Sequence, residues 1–295
     1  MSYKYIVYEK REHTAYIMLN RPEVLNALHP PLEAELDAVW KDYISDPDLW
    51  VAILTGAGER AFSAGSDLKY RASEADQESL RRPAEAGGHV LDRCWKPLIA
   101  AVNGYAVGGG LELALRCDII VAAEHARFGL PEPRRGLLAD AGGVVKLPRR
   151  IPYHFAMGMI LTGKFITAQE AYRMGLVNEV VPMNELMIAA ERWAAEVLEC
   201  SPLALQAAKQ AIVSTLDLPE EVAIRHIESL AAVRRLRESE DYVEGPRAFA
   251  EKRKPIWKNR QVGTMACVSG ARLRSLIEGV ELGRAAICTR WHSHR

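Results

Sequence analysis

Two glutamates and two glycine-rich turns hold the chemistry this sequence can perform. The run Ala101-Val102-Asn103-Gly104-Tyr105-Ala106-Val107-Gly108-Gly109-Gly110-Leu111-Glu112 has three consecutive glycines where an apolar strand gives way to a helix. Glycine lets backbone approach a ligand closely, and the first N–H groups of a helix lack intrahelical acceptors. Such a turn can take an anion or a developing oxyanion; taken alone, it fits a close-packed turn equally well. A second turn, Ala61-Phe62-Ser63-Ala64-Gly65-Ser66-Asp67-Leu68, follows the apolar strand at 50–54. In open α/β sheets ligands gather beyond the carboxyl ends of strands, so the two turns can each direct one N–H at the same carbonyl oxygen. Acyl-group chemistry asks for such a pair. Glu112 begins the helix after the first turn, and Phe128-Gly129-Leu130-Pro131-Glu132 supplies a second carboxylate. Pro131 cannot continue a sheet ladder, so Glu132 leaves its strand at the same sheet end. An isolated glutamate is more often a solvated or ion-paired surface residue. Here the neighbours Leu111, Leu113 and Leu130 imply burial and a raised pKa, which suits paired general acid and base work.

Other chemistries lack their residues. The eight histidines, His13, His29, His89, His125, His154, His226, His292 and His294, show no H-x-x-x-H spacing, so no metal site is expected. Ser63 and Ser66 lack a G-x-S-x-G elbow. Neither a P-loop nor a G-x-G-x-x-G fingerprint occurs, which leaves phosphate hydrolysis and hydride transfer unsupported. Cys94, Cys117, Cys200, Cys267 and Cys288 are scattered and odd in number, against a disulfide framework and in favour of a reducing compartment.

The elements that must carry these residues follow an α/β pattern. Tyr5–Glu9 and Thr14–Leu19 read as a hairpin of two strands. Pro30-Pro31 opens a helix whose face holds Leu32, Leu36, Val39, Trp40 and Tyr43, and Asp46-Pro47 stops it. Trp50–Leu54, Leu98–Val102 and Ile119–Ala123 read as buried strands, alternating with glycine turns and helices as in a parallel sheet. Tyr70–Gly88, rich in Glu, Arg, Ser and Ala, is expected to be a mobile helix or loop. Gly142-Gly143 precedes another helix. Thr167 and Glu170 form a capping box, Gly175 suits the helix end, and Val177–Val181 is a short strand. From Glu185 the pattern is helical, with Ser201-Pro202 as N-cap and first helical residue. Arg149-Arg150 and Glu251–Lys254 are expected on solvated helix faces. No internal sequence repeat and no clean linker are visible.

The 295 residues are 49% hydrophobic and 26% charged, enough for a sizeable core. Lys plus Arg and Asp plus Glu are both 38, and this balance argues against nucleic acid or an anionic membrane as partner. Neither a signal peptide nor a membrane span is visible, and the expected location is the cytoplasm. The expected organisation is an α/β core over 1–200, a helical region over 201–260 and an extension over 261–295. That extension carries five Arg and no Lys, and its apolar stripe is limited to Leu273, Ile277 and Val280.

Taken together, these segments resemble the crotonase, or enoyl-CoA hydratase/isomerase, superfamily over roughly residues 4–260. The resemblance rests on Leu19-Asn20-Arg21-Pro22 with Leu25-Asn26-Ala27-Leu28, on Ala61–Leu68, on Ala101–Glu112, on Phe128–Glu132, and on Glu244-Gly245-Pro246 leading to Phe249–Arg253. It implies a spiral of repeated ββα turns with a C-terminal helical trimerisation region, often assembled as a dimer of trimers. It implies a coenzyme A thioester site at Gly109 and the 64–67 turn, with Ala64, Asp67 and Leu68 in contact with the substrate and the acyl pocket set by Tyr70–Gly88. The Ser66 and Gly109 N–H groups resemble the oxyanion donors, and Glu112 and Glu132 resemble the hydratase acid and base. Coenzyme A would arrive as part of the acyl-CoA substrate, with no resident cofactor and no metal.

One position departs from straight-chain hydratases. Leu138-Ala139-Asp140-Ala141-Gly142-Gly143 stands where many of them have Pro-Gly-Ala-Gly-Gly, so Asp140 replaces a glycine. The branch around carnitinyl-CoA dehydratase also has Asp there and resembles this chain in Glu244–Arg253 and Pro255–Lys258. The expected activity is hydration or dehydration across an α,β bond. The alternatives are a double-bond isomerase, a hydrolase of β-diketones or CoA esters, and a non-catalytic CoA-binding or scaffold protein; zero net charge speaks against an RNA-binding one.

Overall fold

The computed structural model describes residues 3–73 and 90–262. Most of the stretch expected to shape the acyl pocket (74–88), His89, and the tail from 263 with Cys267, Cys288 and its apolar stripe lie outside the described residues.

The hairpin forms as expected, β1 (Ile6–Arg11) against β2 (Thr14–Leu19), and α1 (Pro30–Ser45) buries Leu32, Leu36, Val39, Trp40 and Tyr43. Then a two-strand step repeats: β3 (Val51–Gly56) with β4 (Ala61–Ser63), β5 (Leu98–Val102) with β6 (Tyr105–Val107), and β7 (Ile119–Ala123) with β8 (Arg127–Gly129). The helices between and after them are α2 (Leu68–Ser73), α3 (Gly109–Ala114), α4 (Gly143–Arg150) and α5 (Tyr153–Thr162). Next come β9 (Ile166–Thr167), α6 (Ala168–Arg173), β10 (Glu179–Val181) and α7 (Leu186–Leu198). The chain continues through α8 (Pro202–Thr215), α9 (Glu220–Ile227), α10 (Ala231–Arg237) and α11 (Glu240–Ala250).

Each step puts one strand into each of two sheets. The larger sheet has the order β1-β2-β3-β5-β7-β10, parallel from β2 onward, and the smaller has the order β4-β6-β8-β9. The repeat is geometric and leaves no trace in sequence. The central strands β3, β5 and β7 of the larger sheet are buried on both faces, which explains their continuous apolar runs. On one face Ala52, Leu54, Leu98, Ala100, Val102, Ile120 and Ala122 join the main core with α1. On the other, Val51, Ile53, Ile99, Ala101, Val121 and Ala123 pack against Leu186, Ala189, Ala190 and Ala194 of α7.

Two expectations are corrected. Ala61–Ser63 and Tyr105–Val107 are strands rather than parts of glycine turns, and so the functional turns leave the smaller sheet. Glu251–Lys254 is not helical: α11 ends at Ala250, Lys252 turns left-handed at φ +53°, and the Arg253 N–H returns to the Ala248 carbonyl. Arg253 pairs there with Glu244 and Glu251, which fastens the chain after its reversal. The capping box at Thr167 and Glu170 and the Ser201 cap are present as read. Among the described residues, no helix is long and apolar enough to cross a membrane.

Candidate active site

The smaller sheet lines up three strand ends. β4 leads to Ala64-Gly65-Ser66, β6 to Gly108-Gly109, and β8 through Leu130 and Pro131 to a 3₁₀ turn that begins at Glu132. Because β4, β6 and β8 are parallel, all three exits fall at one end of the sheet.

The Ser66 turn is gripped on both sides. The Leu28 N–H donates to the Gly65 carbonyl at 2.8 Å, and the Asp67 N–H donates to the Leu28 carbonyl at 2.7 Å. The Ser63 hydroxyl donates to the Asn26 carbonyl and accepts from the Gly65 N–H. Gly65 has φ +81°, and a Cβ there would stand 2.7 Å from the Val107 carbonyl oxygen, so a side chain is excluded by conformation and by space. The same contact brings the two turns together: a Cβ on Gly109 would lie 3.7 Å from the Ser66 nitrogen. Neither the Ser66 N–H nor the Gly109 N–H has an acceptor among the described residues. Gly109 is the first residue of α3, so its N–H is one of the helix's unpaired donors.

Glu112 lies one turn into α3 and is 4% exposed. Its Oε1 accepts from the Gly143 N–H at 2.8 Å. Burial pushes its carboxyl up to about 7; Glu132 and Asp140 add to the rise, while the Gly143 bond and Arg116 oppose it. Glu132 is half-buried, and burial also raises its pKa, with Asp140 adding and Arg135 opposing. Its Oε1 stands 3.0 Å from where a Cβ on Gly108 would be, and its Oε2 is buried without a hydrogen-bond partner. Two carboxyl groups of weakened acidity, one on α3 and one against Gly108, therefore accompany two unpaired N–H groups. That arrangement can polarise a carbonyl while it moves protons beside it.

The other expected site residues fall beside this centre. Ala64 lies on the gripped turn, and Leu68 is 39% exposed at the start of α2. The Asp67 carboxylate is already engaged: Oδ2 accepts from Arg21 at 3.0 Å and Oδ1 accepts from the Tyr70 N–H at the head of α2. These bonds outweigh partial burial and hold its pKa below the ordinary value. Asp140 lies on the loop before α4, exposed, and acts electrostatically on both glutamates.

Reasoning from sequence missed the supports. Asn103 is buried; its amide donates to the carbonyls of Gly56, Gly58 and Ala61 and accepts from the Gly56 N–H, which ties the β3–β4 bend to the end of β5. Asn26 donates to Ala57 and Ala61 from the other side. Both asparagines lie within motifs quoted above, and a polar residue inside an apolar run was the available signal. Among the described residues, no group of three acidic, histidine or cysteine side chains is arranged to hold a metal ion.

The comparisons with known proteins fit this geometry. A family model described as enoyl-CoA hydratase/isomerase matches residues 9–260, and the chain belongs to that family. It is 43% identical over 256 residues to an (E)-benzylidenesuccinyl-CoA hydratase of Thauera aromatica, covering 86% of this chain and 98% of the relative. It is 45% identical over 247 residues to a carnitinyl-CoA dehydratase of Escherichia coli K12, covering 83% and 94%. The crystal structure of an enoyl-CoA hydratase from Mycobacterium tuberculosis H37Rv superposes with a TM-score of 0.79 at 37% identity, covering 87% of this chain and 99% of that one.

Proposed function

We propose that this chain is a lyase acting on a coenzyme A thioester, adding water across the α,β double bond of an acyl-CoA or removing it. The observation that carries the reading is the combination of two unpaired N–H groups, Ser66 and Gly109, with two weakly acidic carboxyls, the buried Glu112 and the half-buried Glu132. Under this reading the thioester carbonyl oxygen accepts from both N–H groups. As the oxygen of water bonds to the β carbon, negative charge collects on that carbonyl oxygen as an enolate, and the two fixed dipoles stabilise it more than the ground state. One glutamate takes the proton released by water and the other delivers a proton to the α carbon. Dehydration runs the same steps backward. A carboxyl poised near 7 can serve in either protonation state near neutral pH.

Ala64, Asp67 and Leu68 are assigned to the thioester end of the site. Asp67 acts there by holding the turn, and Leu68 offers exposed apolar surface. Coenzyme A enters as part of the substrate, with no resident cofactor. Hydration or dehydration is preferred over double-bond isomerisation because both glutamates are present and because the two named relatives are a hydratase and a dehydratase.

The reading extends to assembly and location. The helical region 201–260 is assigned to a homotrimer or a dimer of trimers. Ala207, Leu230 and Val233 form a small core between α8 and α10, while Ile212, Leu216 and Ile224 are left exposed. Buried, unpaired Cys94 and Cys117 agree with a reducing, cytoplasmic setting.

A panel of 2-enoyl-CoA thioesters, followed by loss of enone absorbance, tests the activity. Proton NMR in deuterated buffer should then show a β-hydroxy product carrying deuterium at the α carbon. A 3-enoyl product formed without addition of water would overturn the reading in favour of an isomerase.

A further inference from the structure

Arg116 follows α3 four residues after Glu112, and its side chain is only 10% exposed. Its Nη1 donates to the Ala141 carbonyl at 2.6 Å. Two residues further on, the Gly143 N–H donates to Glu112. The two bonds close a ring that runs along α3 from Glu112 to Arg116, across to Ala141, through Gly142, and back to Glu112. The crossing segment has little slack. A Cβ on Gly143 would stand 2.8 Å from the Ala139 Cβ and 3.1 Å from Glu112 Oε1. The Val144 N–H donates to the Ala139 carbonyl, and the Lys146 N–H donates to the Gly142 carbonyl. Asp92 lies 3.7 Å from Arg116 Nε and 3.6 Å from Lys146 Nζ, so the guanidinium is held from behind by an ion pair that also reaches α4.

We propose that Arg116 is a positioning residue for the reaction: by gripping the Ala141 carbonyl it fixes segment 139–143 against α3, and with it the Gly143 N–H that orients Glu112. The inference rests on the reading of Glu112 as acid or base. It assigns a role to a side chain that lies behind the reacting pair, and it explains why an arginine is buried there beside a carbonyl rather than extended into water. A planar fork on a locked stem holds such a carbonyl more rigidly than an ammonium. A proton-transfer group displaced by even 1 Å loses much of its effect. The charged groups that act on Glu112 are Glu132 on the turn after β8, Asp140 on the loop before α4, and Arg116 itself.

The test uses Arg116→Met and Arg116→Lys in the full chain, with the hydrated or dehydrated acyl-CoA as substrate. Arg116→Met should lower kcat roughly ten- to a hundredfold while KM changes little. The limb of the kcat–pH profile governed by Glu112 should move up by about one unit, since both a cation and an orienting bond are lost. Arg116→Lys should fall between, and it decides the matter alone if the methionine variant does not fold. A cycle with Glu112→Gln adds a readout that general damage would not give: Arg116→Met should cost less than about twofold more in that background. An unshifted profile in either arginine variant, or an equal loss with and without Glu112, overturns the role of Arg116. Full turnover by Glu112→Gln alone overturns the underlying assignment of Glu112, a distinct failure.

Discussion

Glu112→Gln should make the protein more stable at pH 8 while it removes activity. The Glu112 carboxyl has an ordinary value of 4.5 and is pushed up to about 7 by burial, so below pH 4.5 it is protonated in both the folded and the unfolded chain. Between pH 4.5 and about 7 the unfolded chain releases this proton while the folded chain keeps it, so folding becomes less favourable as pH rises. Above about 7 the penalty levels off, and a rise of this size corresponds to about 3 kcal/mol. Glutamine can still accept from the Gly143 N–H and carries no charge to bury. The Tm of the variant should therefore match the wild type near pH 4.5 and exceed it by about 6 °C at pH 8, at roughly 2 °C per kcal/mol for a chain of this size. Differential scanning fluorimetry over a pH series at constant ionic strength measures the gap. A gap that does not widen between pH 5 and pH 8 would refute the argument, because it would mean that the Glu112 carboxylate is solvated or paired in the fold.

Glu112→Gln and Glu132→Gln should each lower kcat on the order of 10²–10⁴-fold with little change in KM, because proton transfer contributes only on the way to the transition state. Steady-state kinetics on the true substrate decides, and near wild-type turnover removes that glutamate from the mechanism. Gly109→Pro should abolish turnover by deleting an N–H donor, whereas Ser66→Ala should be mild; a severe Ser66→Ala defect in the same assay would mean that the hydroxyl acts directly. Asn103→Ala should destabilise the fold by about 2 kcal/mol in urea titration, since it strips a partner from the buried Gly56 carbonyl and N–H and from the part-buried Gly58 carbonyl, while Asn26 still donates to the Ala61 carbonyl. A loss below about 1 kcal/mol would mean that other donors or water satisfy them.

Long periodic or wholly apolar segments were legible from the sequence: the stripe on α1, the doubly buried β3, β5 and β7, and the Thr167 and Ser201 caps all declare themselves through residue type. The smaller sheet did not, because β4, β6 and β8 have three residues each, too few for a period to emerge. Their central residues, Phe62, Ala106 and Phe128, are buried, yet a single apolar residue beside a glycine turn reads as loop. The burial and raised pKa values of Glu112 and Glu132 were legible in their apolar neighbours Leu111, Leu113 and Leu130. The donor that orients Glu112 was not: the Gly143 N–H belongs to the backbone, and a backbone group leaves no mark on composition. Glu251–Lys254 failed for a related reason. Good helix formers cannot keep a helix going once Lys252 adopts a left-handed conformation.

The distinction between backbone and side chain also governs how such a site can change. The two N–H groups read here as carbonyl donors come from Ser66 and Gly109, and most side-chain replacements leave an N–H in place. What holds these donors is a frame of bonds to main-chain oxygens, from Asn26, Asn103 and Ser63 to carbonyls on neighbouring bends. The groups proposed to transfer protons are the reverse case. Glu112 and Glu132 are read as acting through their side chains, and burial raises the pKa of both; Asp140 adds to each rise, while Arg116 opposes it at Glu112 and Arg135 at Glu132. Substitution around the site should therefore retune protonation far more readily than it disturbs recognition of the thioester carbonyl. Asp140 stands on the part that tunes. It faces both glutamates from an exposed loop, and as an anion it raises the pKa of both. In this chain, then, the contact between α3 and the start of α4 carries the adjustment: Gly143 and Arg116 draw the pKa of Glu112 down, and Asp140 on the loop between pushes it up.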